Sequence, residues 1–333
     1  MIKFLKIMNE NLIPYKTLFL LLILMFFIQS SLFAKEPDKI LLGVYVNSIH
    51  MIDLKEGTAD VDMYMWTRSK TKKDYFDSLE IMNGTIKQIR NVHKKVVNGE
   101  FYAIGRFRME TLQNYKLKNF PLDDQFIKIA IENSTGDYDD IEFVPDLKDS
   151  GISEVVDIPG WDPMDLKITE RKKIYDSNFG DPEFGLNDET SMVSRIDVEV
   201  LIDQTGAGYF LKLFGTVFLS AFIGFLAFYI SAEDIEPKFS LGVGGIFSVV
   251  ASNFVLSSML PETPQMTLAE FLLLFTMGMI LLSIVETIYS RYLWVSGKPS
   301  LSKSVDLYVG IFVPISYIVA CFSIVKMYIN NIL

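Results

Sequence analysis

Two hydrophobic periods divide the chain. From Lys35 to about Asp203, apolar residues recur at every second position in short runs, and after Gly206 they merge into long uncharged stretches. Alternation marks a strand with one face buried. Val44, Val46 and Ile49 open such a strand, and Val61, Met63 and Met65 alternate with polar partners. The runs Phe101 to Met109, Phe126 to Ile131 and Ile196 to Ile202 follow the same pattern. Turn-forming clusters separate them: Asn83-Gly84, Asn98-Gly99, Thr135-Gly136-Asp137 and Phe179-Gly180-Asp181. So many short strands over roughly 170 residues predict an all-β, immunoglobulin-like sandwich of about ten strands. A helical turn is expected over Thr71 to Phe76 and a long mobile loop over Asp176 to Thr190.

Beyond Gly206 the pattern predicts four membrane spans, at about 209–230, 238–259, 267–288 and 307–328. Each matches the ~20 apolar residues that a bilayer core requires. Short connections make them an antiparallel all-α bundle. No charge falls between Phe239 and Pro261, and Glu270 and Glu286 sit near the ends of the third span. Arg291, Lys298 and Lys303 place the linker between the third and fourth spans inside the cell, whereas the turn Pro261 to Met266 has no Lys or Arg and lies outside. The C-terminus then returns outside, with Lys326 free to snorkel.

The first residues read as an export signal. Lys3, Lys6 and Lys16 precede the apolar core Leu18 to Ile28, and Ser30, Ser31 and Ala34 supply small residues for cleavage. The expected organisation is a signal peptide over 1–34, an exported sandwich over 35–205 and a membrane domain over 206–333.

Composition narrows the function. The net charge of -10 disfavours nucleic acid as a partner. Cys321 is the single cysteine, so no intrachain disulfide forms, and His50 and His93 are the only imidazoles, with no metal-site spacing. No catalytic motif or cofactor fingerprint is visible, and the pair Asp139-Asp140 lacks a nucleophile or oriented base. The chain is expected not to be an enzyme and to need no cofactor.

The second span differs from its neighbours. Gly242, Gly244 and Gly245 mix with Ser240, Ser248, Ser252, Asn253, Ser257 and Ser258, which suits a helix shielded from lipid. Steps of three or four residues from Glu236 reach Ser240, Gly244, Phe247, Ala251, Phe254 and Ser258 along one stripe. Around an axis that stripe becomes stacked rings: a charged ring at Glu236, a hydroxyl ring at Ser240, and apolar constrictions at Phe247 and Phe254 able to gate by dewetting. The same small residues also suit close helix packing without any pore.

Two stretches carry a family resemblance. Phe120-Pro121-Leu122-Asp123-Asp124-Gln125 resembles the Phe-Pro-Phe-Asp-x-Gln signature of the pentameric ligand-gated ion channels. Leu260-Pro261-Glu262-Thr263-Pro264-Gln265-Met266-Thr267 is similar to the turn between the second and third membrane helices of their prokaryotic members. Trp66, Gly160-Trp161 and the position of Glu236 add to the likeness, which spans nearly the whole mature chain. Gln113 and Ile127 stand near where the Cys-loop receptor superfamily has cysteines, as in its bacterial branch. The Arg usual before the first membrane helix and the Pro usual within it are absent.

The resemblance implies a homopentamer around a central pore, placed in a bacterial inner membrane and passing small inorganic ions. It implies gating by an extracellular signal, either a small-molecule agonist or protons. Glu236 favours cations, unless it pairs with Lys238 of a neighbouring subunit. Phe120, Pro121, Asp123 and Gln125 would rest on the turn carrying Pro261 and Pro264 and couple the domains. Tyr102, Tyr138, Phe179 and Phe184 are the candidate aromatic residues of an agonist site, suited to an amine by cation–π attraction. The competing expectation is a membrane-anchored periplasmic sensor that conducts nothing.

Overall fold

A computed structural model describes residues 36–330 apart from 72, 136, 157, 159, 178, 180–190 and 205. The expected signal segment and Phe184 lie outside the described residues. Among the described residues, ten strands form two sheets. They are β1 (Asp38–Asp53), β2 (Thr58–Ser69), β3 (Leu79–Ile81), β4 (Gly84–Val97), β5 (Glu100–Leu112), β6 (Gln125–Asn133), β7 (Ile141–Pro145), β8 (Gly151–Ile152), β9 (Trp161–Tyr175) and β10 (Ser191–Gln204). One sheet runs β4-β5-β2-β1-β7 with β8 also paired to β1, and the other runs β3-β6-β10-β9.

The alternating residues make the core between the sheets. Val44, Val61, Met63, Met65, Phe107 and Met109 meet Ile127, Ile129, Ile131, Ile196, Val198 and Val200, all buried. Bulges in β1 after Val46 and after Ile49 shift the phase, which explains why Val44, Val46 and Ile49 all face inward despite their uneven spacing. Trp66 lies across Gly43, where an added Cβ would come within 2.1 Å of the indole. Its Nε1–H donates to Asp146 Oδ2 at 3.0 Å. The expected helical turn at 71–76 is instead turn and irregular backbone, because Tyr75 and Phe76 are drawn into the sandwich core.

Four helices follow: α1 (Gly206–Phe225), α2 (Ile235–Met259), α3 (Leu268–Val295) and α4 (Pro299–Ile329). A 3₁₀ turn, Leu226–Tyr229, extends α1. Each is long and apolar enough to cross a bilayer. The helices α3 and α4 outrun the expected spans, since hydropathy registers the lipid thickness and not the helix ends. Thr267 caps α3 in a reciprocal capping box with Glu270. Tyr317 of α4 is the centre of the bundle. It is 1 % exposed, stacks on Phe275 at 5.9 Å and lies 2.8 Å from the Thr276 hydroxyl.

Candidate functional site

The helix α2 has two faces of opposite character. Lys238, Gly242, Gly245, Val249 and Leu256 are buried against the chain's own bundle. The seven residues Glu236, Ser240, Gly244, Phe247, Ala251, Phe254 and Ser258 are all exposed. Phe247 and Phe254 are 70 % and 80 % exposed, so neither ring fills a gap inside the bundle. The glycines divide the same way. A Cβ on Gly242 would sit 2.5 Å from Ile284, and one on Gly245 would sit 3.1 Å from the Ser220 carbonyl, whereas one on Gly244 would meet nothing within 4 Å. Gly242 and Gly245 thus serve helix packing, and Gly244 belongs to the free stripe. Hydroxyls knit the packed side further. Ser220 Oγ donates to Ser248 Oγ at 2.6 Å.

Lys238 corrects one expectation. It was set against Glu236 of a neighbouring subunit, yet it points into its own bundle and is 1 % exposed. Its Nζ lies 2.5 Å from Asp306 Oδ1 of α4 and 3.6 Å from Glu286 Oε2 of α3. The physical reason is helical geometry, since two residues advance a helix by about 200° and so put Lys238 opposite Glu236. Nothing in the sequence pattern of α2 alone signals this cluster, because its two carboxylates come from other helices.

The domain junction gathers around the Phe120–Gln125 loop. Phe120 is 1 % exposed and packs in the helical core beside Phe214 and Leu268, with Tyr209 edge-on at 6.4 Å. The Leu268 N–H donates to the Lys118 carbonyl at 2.9 Å, which ties the loop to the first turn of α3. The Asn119 N–H donates to Asp123 Oδ2 at 2.7 Å, and Gln125 accepts from and donates to the Lys116 backbone. Pro121 is buried, Pro261 half-buried and Pro264 exposed. Among the described residues, the contacts therefore run through Lys118, Phe120 and Leu268, with Pro264 free on the surface. Leu54 in the β1–β2 turn, which the sequence reading passed over, packs against both hydrophobic cores. Partial burial and the neighbouring Asp203 carboxyl raise Asp124 above the ordinary carboxylate range, and burial likewise raises Asp123.

No family model matches the chain. Individual proteins do. A proton-gated ion channel of Gloeobacter violaceus is 20 % identical over 308 residues, covering 86 % of this chain and 82 % of that one. The gamma-aminobutyric acid receptor subunit beta-4 of Gallus gallus is 20 % identical over 189 residues, covering 56 % of this chain and 36 % of that subunit. The chain is a homologue of the pentameric ligand-gated ion channels. For this channel homologue the first of these matches takes in both sandwich and bundle, and the proteins matched are ion channels rather than enzymes.

The described aromatic candidates of the sandwich each have a partner within their own chain. Lys95 Nζ lies over the Tyr102 ring at 5.3 Å, and Lys172 Nζ lies over the Tyr138 ring at 4.2 Å. Both rings thus already carry a cation of their own chain. Phe179 is 73 % exposed and meets Tyr175 edge-on at 5.3 Å. Beside it lies a cluster that the sequence reading missed. Arg195 Nε donates to Glu132 Oε1 at 2.5 Å, and the Tyr175 hydroxyl donates to the same carboxylate at 3.0 Å. Burial and the Glu132 charge raise the Tyr175 phenol above its usual value. Arg195 and Glu132 face each other in register across β10 and β6. A register prediction for those two strands was the one signal that could have found them.

Proposed function

We propose that this chain assembles as a homopentamer whose α2 helices line a cation-selective pore, opened by an extracellular signal that the sandwich passes to the membrane domain. The observation that carries the reading is the exposure of all seven stripe residues on α2, while its opposite face packs into the bundle. A face of Ser, Gly and Ala with an acidic end has little to gain from lipid and suits water. In the assembly Glu236 forms the negative inner mouth, Ser240 lends hydroxyls to a partly dehydrated ion, and Phe247 and Phe254 narrow the path. The proton-gated and receptor-type relatives favour conduction over a sensor that only binds.

Coupling runs through Phe120, Pro121, Asp123 and Gln125 to the start of α3. The Lys118–Leu268 hydrogen bond and the packing of Phe120 against the helices support that route. The agonist is a small molecule received near Tyr102, Tyr138, Phe179 and Phe184, or protons received by carboxylates such as Asp124. The protein sits in the inner membrane of a bacterium with the sandwich and C-terminus outside, an orientation that the basic residues between α3 and α4 support. Recordings from purified protein in planar bilayers, over a pH series and an amine panel, test the reading. Stimulated currents with a cation-side reversal potential that weakens in Glu236→Gln are expected. A silent protein, or a selectivity indifferent to that exchange, counts against it.

A further inference from the structure

The helix α2 contains two charged residues, Glu236 and Lys238. If both reached water at the inner end of the pore, their charges would cancel in every subunit. The structure separates them. Glu236 is exposed, and the acids Glu233 and Asp234 of the preceding turn are exposed beside it. The Lys238 side chain is 0 % exposed. The nearby cation Arg291 is spent on the Ala232 and Glu233 carbonyls, which its Nη1 reaches at 3.1 and 3.0 Å.

We infer that Asp306 and Glu286 set the charge selectivity of the inner mouth by holding the Lys238 ammonium inside the subunit, an inference that rests on the pore reading above. Lysine has a long flexible stem and ordinarily snorkels its charge to water. Here Asp306 Oδ1 at 2.5 Å and Glu286 Oε2 at 3.6 Å hold it back. Two carboxylates for one ammonium are more than pairing alone demands. Both Glu286 oxygens are buried, and Oε2 faces the ammonium from 3.6 Å, so Glu286 closes the polar pocket around Lys238. Asp306 and Glu286 touch no permeating ion in this account. They are positioning residues that act through Lys238.

Removing both acids leaves a buried ammonium without a partner, which is strongly unfavourable and drives it toward water at the mouth. Reversal potentials in a salt-dilution gradient read the outcome. For Glu286→Gln with Asp306→Asn, the cation-over-anion permeability ratio is expected to fall by roughly threefold or more, because the added charge lies within about one Debye length of the ions. Adding Lys238→Gln to that pair removes the released charge and restores the ratio. A purely structural role would alter expression and melting temperature but not the ratio, nor its rescue by a third exchange. An unchanged ratio in the double variant, or a fall that Lys238→Gln does not reverse, overturns the inference. Should the double variant not assemble, Asp306→Asn alone keeps one carboxylate for Lys238 and is expected to shift the ratio the same way by less; no shift there also overturns it. Glu236→Gln recorded in parallel separates the failures. If it weakens selectivity while the acid variants do not, this inference falls and the pore reading stands. If the wild-type protein passes no current, the pore reading itself has failed.

Discussion

The helices α2 and α4 are the two least buried in the bundle, with 22 % and 17 % of their spans covered, against 39 % for α1 and 44 % for α3. Their free faces are nevertheless unlike. On α4 the exposed side carries Tyr308, Phe312, Val319 and Phe322, large apolar groups that gain from acyl chains. On α2 it carries Ser240, Gly244, Ala251, Asn253 and Ser258 among the larger Phe239, Phe247, Val250, Phe254 and Val255. Exposure in one subunit of a membrane protein is thus of two kinds, and side-chain size and polarity tell them apart. The same contrast runs through α2 itself. Gly242 is small because Ile284 presses on it, whereas Gly244 is small where nothing presses.

The sharpest way to break this comparison is to put a charge on each free face. Phe312→Lys places an ammonium near the middle of α4 and is expected to cost roughly 2.5–3.5 kcal/mol of membrane insertion. Ala251→Lys on the α2 stripe is expected to leave insertion and assembly nearly unchanged. Glycosylation-site mapping of insertion, with gel filtration in detergent, reads both; equal costs would erase the distinction.

The glycine pair gives a smaller effect. Gly242→Ala drives a methyl into Ile284 and is expected to destabilise the bundle by about 1–3 kcal/mol, as overpacked cores do. Gly244→Ala should instead be neutral or stabilise by up to about 1 kcal/mol, the difference in helix propensity. Thermal unfolding in detergent distinguishes them, and similar melting shifts would mean that both glycines face the same surroundings.

The smallest effect concerns pH. Asp124 is held above the ordinary carboxylate range by partial burial and by Asp203. A carboxyl raised on folding contributes stability that is complete below its unfolded value and is lost as pH rises through its folded value. The junction is therefore expected to be tighter on the acidic side. Asp124→Asn should flatten the pH dependence of sandwich melting across the acidic range. An unaltered slope would remove this pair from the account.

Much of the fold was legible where burial alternates. The strands β1, β5, β6 and β10 each have one buried face, and their apolar period announces it; β2 keeps the period although Asp60, Asp62 and Trp66 on its other face are buried as well. Most of β4 is exposed on both faces, so Lys87, Arg90, His93, Lys94 and Lys95 crowd it and no period survives. The mostly polar strand β9 was hidden for the same reason. The stripe of α2 was legible because helical spacing needs one helix only. What Lys238 does was not, since Glu286 and Asp306 are far from it in sequence and meet it through the packing of three helices. The junction motif was readable at Phe120, but its contact with Leu268 in place of Pro264 depends on how deeply that ring inserts.

The claim on which the rest depends is that water reaches one face of α2 in the assembled protein. Single cysteines introduced along α2 from Glu236 to Ser258, in a background where Cys321 is buried, can be tested with a membrane-impermeant thiol reagent under activating conditions. Reaction is expected to peak at Glu236, Ser240, Gly244, Ala251 and Ser258 and to vanish at Gly242, Gly245, Val249 and Leu256. Uniform protection along the helix, or reaction in the opposite phase, would contradict the account.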